Sequence, residues 1–195
     1  MGQVYEHIDD GVRAFIEKQH VFFVATAPLA ADGHVNLSPK GLAGSFAVLD
    51  DRTVAYLDLG GSGAETVAHL RENGRVTIMW CAFEGPPRIL RIHGRGTPVF
   101  RDDPRWARLL PHFGEEMRAR TDLRAVITVE AERISDTCGF AVPFMEHQGE
   151  RPLHTQRFAR ETADSFAAYC EKKEHVGVSL DGLPGLPLPL PPRTL

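Results

Sequence analysis

Lys40 is the residue whose type and position most suggest chemistry. It lies in the stretch HVNLSPKGLAG, residues 34–44, two positions after Ser38 and just before the first of two glycines. It is the only lysine between Lys18 and Lys172, in a chain with 22 lysines and arginines in total. A compact ammonium beside a hydroxyl and a flexible turn can direct its three donors at a tetrahedral phosphate. The alternative interpretation is a surface lysine at a turn.

A glycine-rich turn offers a second possible anion site. The segment YLDLGGSGAETVAHL, residues 56–70, runs from a predicted strand through this turn into a predicted helix, and helix amino ends attract anions. Ser62 and Glu65 have the spacing of a capping box, which accounts for both without a ligand. It does not account for three glycines, which suit a sharp bend or a close approach. Helix cap and ligand site both stay open, and Glu65 would favour a hydroxyl or an N–H over a phosphate.

Other catalytic and metal sites find less support. Gly61 and Gly63 begin a G-x-G pattern, but Thr66 stands where a dinucleotide fingerprint needs its third glycine, and the βαβ context is missing. Ser38 and Lys40 would share one face of a strand and could form a hydrolase pair, although no G-x-S-x-G is present. None of the nine histidines falls into a compact metal-binding pattern, so we predict no metal site.

Several basic residues fall on one predicted strand in the stretch PPRILRIHGRG, residues 86–96. Strand alternation puts Arg91, His93 and Arg95 on one face, where a solvent-facing or edge position explains them. We expect His93 to be a structural histidine. Arg88, at the start of the strand, is the residue of this group that we expect near a site.

The elements that position these residues are predicted to be mainly β. Runs typical of strands cover 21–27, 35–38, 53–59, 75–83, 88–96 and 124–134, and helices are predicted at 5–19, at 65–73, from a cap at Asp103, and at 160–173. Most gaps between strands are too short for a parallel crossover. We therefore predict an antiparallel barrel with peripheral helices.

The composition is that of a soluble globular protein with a small partner. The 195 residues are 43% hydrophobic and 25% charged, which predicts a single domain over 1–182 followed by a proline-rich tail over 183–195. No apolar run approaches the roughly 20 residues of a membrane span, and acidic residues near the start argue against a signal peptide, so we expect a cytoplasmic location. A net charge of -4 argues against nucleic-acid binding. Cys81, Cys138 and Cys170 are too far apart in sequence for a CxxC pair and are expected to be free thiols.

The order of the motifs resembles one known family. VFFVATA, HVNLSPKG, TVAYLDLGGSGAETVAHLRENGRVTIMWCAF and RILRIHGRG, followed by CGFAVPFMEHQGER and SLDGLPG, are similar to a branch of the pyridoxamine 5'-phosphate oxidase-related, FMN-binding split-barrel proteins. The resemblance covers nearly the whole chain. It implies a mainly β fold of the α+β class, a homodimer of six-stranded antiparallel split barrels, and FMN bound in a groove at the subunit interface.

The same resemblance implies a set of cofactor-binding residues. They are Asn36, Ser38, Lys40, Tyr56, Leu57, Ser62, Gly63, Thr66 and Arg88. Lys40 would pair with the FMN phosphate, Asn36 and Ser38 would line ribityl and phosphate, and Tyr56 and Leu57 would lie where a strand passes the flavin. At the helix start the oxidases carry Ser-Arg-Lys, whereas this chain has Ala64, Glu65 and Thr66. Only hydroxyl and backbone donors therefore remain there, which would weaken the grip on a phosphate unless other donors replace them.

Two functions follow from the resemblance. The first is an FMN-dependent oxidoreductase acting on a small molecule, with the flavin as redox centre and no catalytic side chain assigned. The second is a non-catalytic binding or sensing module that holds haem or another flavin, and an F420-type deazaflavin reductase lies between the two. The substrate-binding signature of the pyridoxamine phosphate oxidases is not recognisable, so the resemblance implies no role in pyridoxine metabolism.

Overall fold

The computed structural model of the protein describes residues 2–61 and 63–191, and only the backbone of Glu174. The strands are β1 (Val4–Tyr5), β2 (Phe22–Thr26), β3 (Asn36–Lys40), β4 (Phe46–Val48), β5 (Thr53–Leu59), β6 (Arg75–Cys81), β7 (Ile89–Val99) and β8 (Leu123–Thr137). The helices are α1 (Asp10–Glu17), α2 (Glu65–Asn73), α3 (Trp106–Leu109), α4 (Glu115–Arg118), α5 (Leu153–Phe158), α6 (Ala163–Lys172) and α7 (Glu174–Gly177), with a 3-10 turn at Leu110–His112.

The strands form one antiparallel sheet in the order β3-β2-β6-β7-β8-β5-β4. The predicted fold class, a mainly β antiparallel split barrel with peripheral helices, is confirmed. The predicted number of six strands is wrong, because seven strands follow this path and the two-residue β1 pairs with β8 beside it. Both missed strands, β1 and β4, have at most three residues. Such strands are too short to show the alternation that reveals a strand in sequence.

Packing on both faces of the sheet explains why β5 is so apolar. One cluster of buried residues, which includes Val24, Tyr56 and Trp80, fills the interior of the curled sheet. A second cluster packs α3 and α4 against the outer face through residues such as Trp106 and Met117. Burial on two faces removes the polar alternation of a half-exposed strand. The five central residues of β5 are accordingly all buried.

The structure shifts the predicted helix boundaries. The first helix begins at Asp10 rather than residue 5, because Asp9 caps it by accepting a hydrogen bond from Val12 N at 2.7 Å. The second helix matches its prediction. Arg105, not Asp103, holds the cap position of α3, although the Asp103 carboxylate accepts from Arg105 N at 2.8 Å. The last predicted helix, 160–173, corresponds to α6, which starts after a Thr162 capping box, whereas the short α5 before it was not predicted.

The described part of the chain beyond α7, residues 178–191, packs against the body of the protein. Leu186 is buried in the core, and Leu186 N donates to Val176 O at 3.1 Å. Gly185 N donates to Gly177 O at 2.7 Å. The domain boundary at 182/183 stays a prediction. Over the described ranges, we find no helix with the length and apolar character needed to cross a membrane.

Candidate functional site

A cavity of about 940 Å³ lies between the edge strand β3 and the start of α2. Its walls come from β3, the end of β5, the glycine turn, the link between α1 and β2, and the segment 145–154. Sites for small molecules have volumes of roughly 300–1,000 Å³ and combine apolar walls with a few polar groups. The walls here combine apolar side chains such as Phe23 and Leu57 with polar ones such as Asn36 and Ser38. This cavity is therefore our candidate site.

The strand β3 presents three polar side chains to the cavity. Asn36, Ser38 and Lys40 alternate with the exposed Leu37 and Pro39, so one face of the strand is polar and partly buried. Proline is tolerated because β3 is an edge strand, which among the described strands pairs with β2 alone. The structure thus brings these three sequence-predicted residues to one wall. The Lys40 side chain is 26% exposed, so it borders the cavity rather than lying free in solvent.

Asn36 connects β3 to the start of α2. Its Nδ2 donates to Thr26 Oγ1 and to Thr66 Oγ1, both at 3.0 Å, and its Oδ1 accepts from Ser38 Oγ at 2.9 Å. Because the Ser38 proton is used in this bond, the lone pairs of Ser38 remain for a ligand donor. Thr66 accepts from Asn36 and lines the cavity, so its own O–H remains available to donate.

A buried ion pair that the sequence did not reveal lies next to Lys40. Arg124 and Asp58 both line the cavity, with side chains only 5% and 3% exposed. Arg124 donates from Nε and Nη2 to the two Asp58 oxygens, at 2.9 and 3.1 Å, and from Nη1 to Gly63 O at 3.2 Å. Lys40 Nζ lies 3.9 Å from Asp58 Oδ1. The sequence did contain one indication of this ion pair, since Asp58 is a charged residue in the mainly apolar strand β5.

The glycine turn after β5 is tightly packed at one position and left-handed at another. A Cβ added to Gly60 would lie 2.8 Å from Phe158 Cζ and 3.0 Å from Asp122 Cβ, so a side chain there would have to displace its neighbours. Gly63 has a φ of +90°, a conformation that favours glycine. Both glycines line the cavity. Close packing therefore accounts for the glycine at position 60, and the left-handed backbone accounts for the glycine at position 63.

The predicted capping box is not formed at the start of α2. Ala64 holds the cap position and Glu65 is the first helical residue, so Glu65 is not at the third position that the box requires. Glu65 Oε1 instead accepts from Leu180 N at 3.0 Å. Ser62, the other half of the predicted box and a predicted site residue, lies outside the described residues.

A buried histidine lies behind this helix start. His69 is fully buried, and its Nδ1 is 2.9 Å from Thr26 Oγ1. Its Nε2 faces Glu65 Oε2 at 3.9 Å, and neither atom has a hydrogen-bond partner within the described part of the chain. The polar network therefore continues from Ser38 through Asn36 and Thr26 into the core.

Two predicted site residues from β5 lie in different environments. Leu57 lines the cavity. Tyr56 does not: it is fully buried and packs against Phe22, with 5.5 Å between ring centroids. Burial, and to a smaller degree the Asp58 charge, raises the pKa of Tyr56 well above its usual range. Within one chain, Tyr56 is thus a core residue, because the interior cluster packs over this face of β5.

Arg88 also lies away from this cavity. Its Nε donates to Asp136 Oδ2 at 2.9 Å, its Nη2 donates to Tyr5 Oη at 2.9 Å, and its guanidinium lies over the Phe15 ring at 4.6 Å. Arg88 borders a separate cavity of about 490 Å³. The fold of a single chain therefore does not bring Arg88 to Lys40.

The segment 145–154 lines the cavity and is attached near both ends. The rings of His147 and His20 stack with centroids 3.6 Å apart, and both residues line the cavity. At the other end, Arg120 Nη2 donates to His154 Nδ1 at 2.9 Å, which leaves the proton of the neutral ring on Nε2. That Nε2 then donates to Gly60 O at 2.7 Å. His154 thereby joins this segment to the glycine turn.

No group of three or more potential metal ligands comes together within residues 2–61 and 63–191. The chemistry offered by the cavity is that of its side chains: cations, carboxylates, histidines, hydroxyls, two amides and apolar walls. Such a set can bind an anionic ligand that also carries hydroxyl groups and a flat apolar body.

Comparison with known proteins gives consistent matches. The family model described as pyridoxamine 5'-phosphate oxidase matches residues 8–138. The pyridoxamine 5'-phosphate oxidase family protein ustO of Aspergillus flavus is 39% identical over 194 residues, which cover 93% of this chain and 77% of that protein.

Solved structures are more distant. The Mycobacterium tuberculosis protein Rv2991 is 18% identical with a TM-score of 0.47, covering 73% of this chain and 92% of that one. The FAD binding protein of Mycobacterium smegmatis is 14% identical with a TM-score of 0.47, covering 69% of this chain and 96% of that one.

Proposed function

Because the chain belongs to the pyridoxamine 5'-phosphate oxidase family, we propose that it is an oxidoreductase that binds FMN in the cavity beside β3. Electrons or hydride would pass between a reduced nicotinamide, or a similar donor, and a small-molecule substrate. The observation that carries the proposal is Lys40, a partly buried cation on the wall of a cavity of about 940 Å³. A cation in this position can hold the terminal phosphate of a mononucleotide.

The residues of the cavity fit such a ligand. Lys40 supplies charge for the phosphate, and Ser38 and Thr66 supply an acceptor and a donor for the ribityl hydroxyls. Phe23 and Leu57 supply apolar surface for a ring system. Asn36 touches Thr66 and Ser38 directly, so it fixes the orientation of both hydroxyls. The polar groups are thus oriented before a ligand arrives, which lowers the entropic cost of binding.

FMN, when bound, supplies the redox chemistry itself. This chain then has to bind the FMN, orient it and shield it from water. The segment 145–154 lines the cavity, and its attachments through His147 and His154 hold it in place, so it can shield one side of a bound ligand from water. No nucleophile or acid–base pair is required of the protein, and we assign no catalytic side chain.

The proposal includes a homodimer with the cofactor at the subunit interface, located in the cytoplasm. Phe140 and Phe144 are each 83% exposed on the segment that follows β8. Large apolar side chains exposed together are typical of interaction surfaces. Light scattering on the purified protein tests the dimer, and a monomer at working concentrations would contradict it. Fractionation of cells tests the location.

The absorption spectrum of the purified protein tests flavin binding. We expect a flavin spectrum as isolated or after addition of FMN, together with steady consumption of NADH or NADPH when a suitable acceptor is supplied. Protein that stays colourless and does not take up added FMN would contradict the proposal.

A second candidate function is a binding module for haem or a deazaflavin. The observation that favours haem is the presence of His20 and His147 on the cavity wall. A Soret band on haem titration that is lost in His147→Ala would support this alternative. A flavin spectrum with nicotinamide turnover would argue against it, and titration with FMN and with an F420-type deazaflavin in parallel would separate those two cofactors.

A further inference from the structure

We propose that Arg124 is the second cation of an anion subsite that it forms with Lys40, and that Asp58 is the positioning residue between them. The ligand group is a phosphate monoester, so this inference rests on the proposed function. Arg124 lines the cavity with a side chain only 5% exposed. Neither the sequence motifs nor the family resemblance pointed to it.

The hydrogen bonds of Arg124 leave donors for a ligand. A guanidinium has five N–H groups. One on Nε and one on Nη2 bind the Asp58 oxygens, and one on Nη1 binds Gly63 O. One N–H on each of the two terminal nitrogens remains. Because the side chain is already fixed at three points, binding through these donors costs little conformational entropy.

The local charge balance also requires Arg124. Asp58 Oδ1 is 3.9 Å from Lys40 Nζ, so the pair alone has no net charge and a phosphate approaching Lys40 would also meet a carboxylate. Arg124 engages both oxygens of that carboxylate and makes the three groups net positive. Repulsion between phosphate and Asp58 is then offset by two cations rather than one.

The arrangement further explains how this chain manages without basic residues at the start of α2. Glu65 stands there, where the family resemblance implies a basic residue. Arg124 approaches the same region from β8, because its Nη1 binds the carbonyl of Gly63, two residues before Glu65. The lost charge is thus supplied from a different strand.

A purely structural ion pair is the competing explanation, since Arg124 also ties β8 to β5 and to the glycine turn. The two explanations differ in how they affect ligands with and without a phosphate. A phosphate-binding arginine discriminates FMN from riboflavin. An arginine that only shapes the cavity affects both equally.

The test is a titration of the purified protein with FMN and with riboflavin, followed by flavin fluorescence, in wild type, Arg124→Gln and Asp58→Asn/Arg124→Gln. The double variant avoids leaving a buried carboxylate without its partner. We expect wild type to prefer FMN over riboflavin. In Arg124→Gln, FMN affinity should fall about tenfold or more, because two donors are lost and Asp58 is left facing Lys40. In the double variant, where Lys40 no longer faces a carboxylate, FMN affinity should fall less but still measurably through the two lost donors. Riboflavin affinity should stay within about twofold in both variants. Arg95→Gln is the control, since Arg95 pairs with Glu132 at a largely exposed site outside the cavity.

The possible results separate this inference from the function on which it rests. A wild type that binds both flavins equally, or variants that lose affinity for both in the same proportion, would overturn the anion subsite and leave FMN binding standing. A wild type that binds neither flavin would overturn the proposed function and the subsite together. A variant that fails to fold is replaced by Arg124→Lys. Its preference for FMN over riboflavin should also fall, because a lysine ammonium cannot reproduce the planar, bidentate donor geometry of a guanidinium.

Discussion

Lys40 Nζ lies 3.9 Å from Asp58 Oδ1, although four strands separate β3 from β5 along the sheet. The two side chains can meet only because the sheet curls until its two ends converge. The ring contact between Phe22 of β2 and Tyr56 of β5 spans the same closure in the interior. The candidate site therefore lies where the two ends of the sheet approach each other, and its charge pattern depends on that approach.

The first prediction concerns Lys40. Lys40→Ala should weaken FMN binding by about 10- to 150-fold, because a hydrogen bond to a charged group contributes roughly 1.5–3 kcal/mol. Stability should change little, since Arg124 still holds Asp58 through two hydrogen bonds. The matched control is Lys172→Ala, on the exposed surface of α6. Equal FMN affinity in the two variants, measured by fluorescence titration, would remove the role assigned to Lys40.

The second prediction compares two adjacent glycines of the turn. Gly60→Ala should lower the free energy of unfolding by about 1–3 kcal/mol, because its Cβ would lie 2.8 Å from Phe158 Cζ and 3.0 Å from Asp122 Cβ. Gly61→Ala is the control, since among the described residues beyond its chain neighbours its Cβ would approach Leu59 O alone, at 4.0 Å. It should change stability by less than about 1 kcal/mol in either direction. Urea unfolding of both variants is the measurement, and equal losses would contradict the packing of this turn.

Local patterns in the sequence predicted the part of the site that lies on one strand. Asn36, Ser38 and Lys40 share a face because of strand alternation, and the structure brings all three to the cavity. The Asp58–Arg124 pair could not be found in this way. Its members are 66 positions apart and lie on adjacent strands whose register is fixed only by the whole sheet.

Two other predicted site residues, Tyr56 and Arg88, lie away from the cavity of a single chain, and their roles stay predictions. The family resemblance places Tyr56 with Leu57 where a strand passes the flavin, but alternation along β5 turns the Tyr56 side chain into the interior, where it is fully buried. Arg88 was expected near a site because it opens a strand. In the fold, that end of β7 lies beside the last residues of β8, where Asp136 binds Arg88. No local signal in the sequence specifies that neighbour.

The third prediction concerns the cysteines. Cys138 is exposed, whereas Cys81 and Cys170 are buried. Burial raises the pKa of Cys81, and it raises that of Cys170 to about 11, so both thiols are protonated as well as inaccessible at neutral pH. We expect one thiol per chain to react with Ellman's reagent in the native protein and three in denaturant. Cys138→Ser should abolish the native reaction, and a native count of two or three would contradict the burial of β6 or α6.

The fourth prediction concerns the pH dependence of stability. Burial, then the charges of Arg133 and Arg91, lowers the pKa of His93 below its ordinary value of 6.5. The unfolded chain then binds the proton more readily than the folded one. The contribution of His93 to stability is therefore present above pH 6.5 and is lost as the pH falls through the folded pKa. His93→Gln should lack this loss, so its unfolding free energy should fall less steeply than that of wild type on acidification below pH 6.5.

His34 provides a control of opposite sign for this prediction. A hydrogen bond to Asp181, together with the charge of that carboxylate, raises the pKa of His34 above 6.5. Its contribution is present below pH 6.5 and is lost as the pH rises through the folded pKa. The difference between wild type and His34→Gln should therefore shrink with rising pH, whereas the difference for His93→Gln should grow. The measurement is urea unfolding at a series of pH values. Parallel curves for wild type and His93→Gln across this range would show that the ring is equally protonated in the folded and unfolded chain. The half-buried environment of His93 on β7, beside Arg91 and Arg133, would then be wrong.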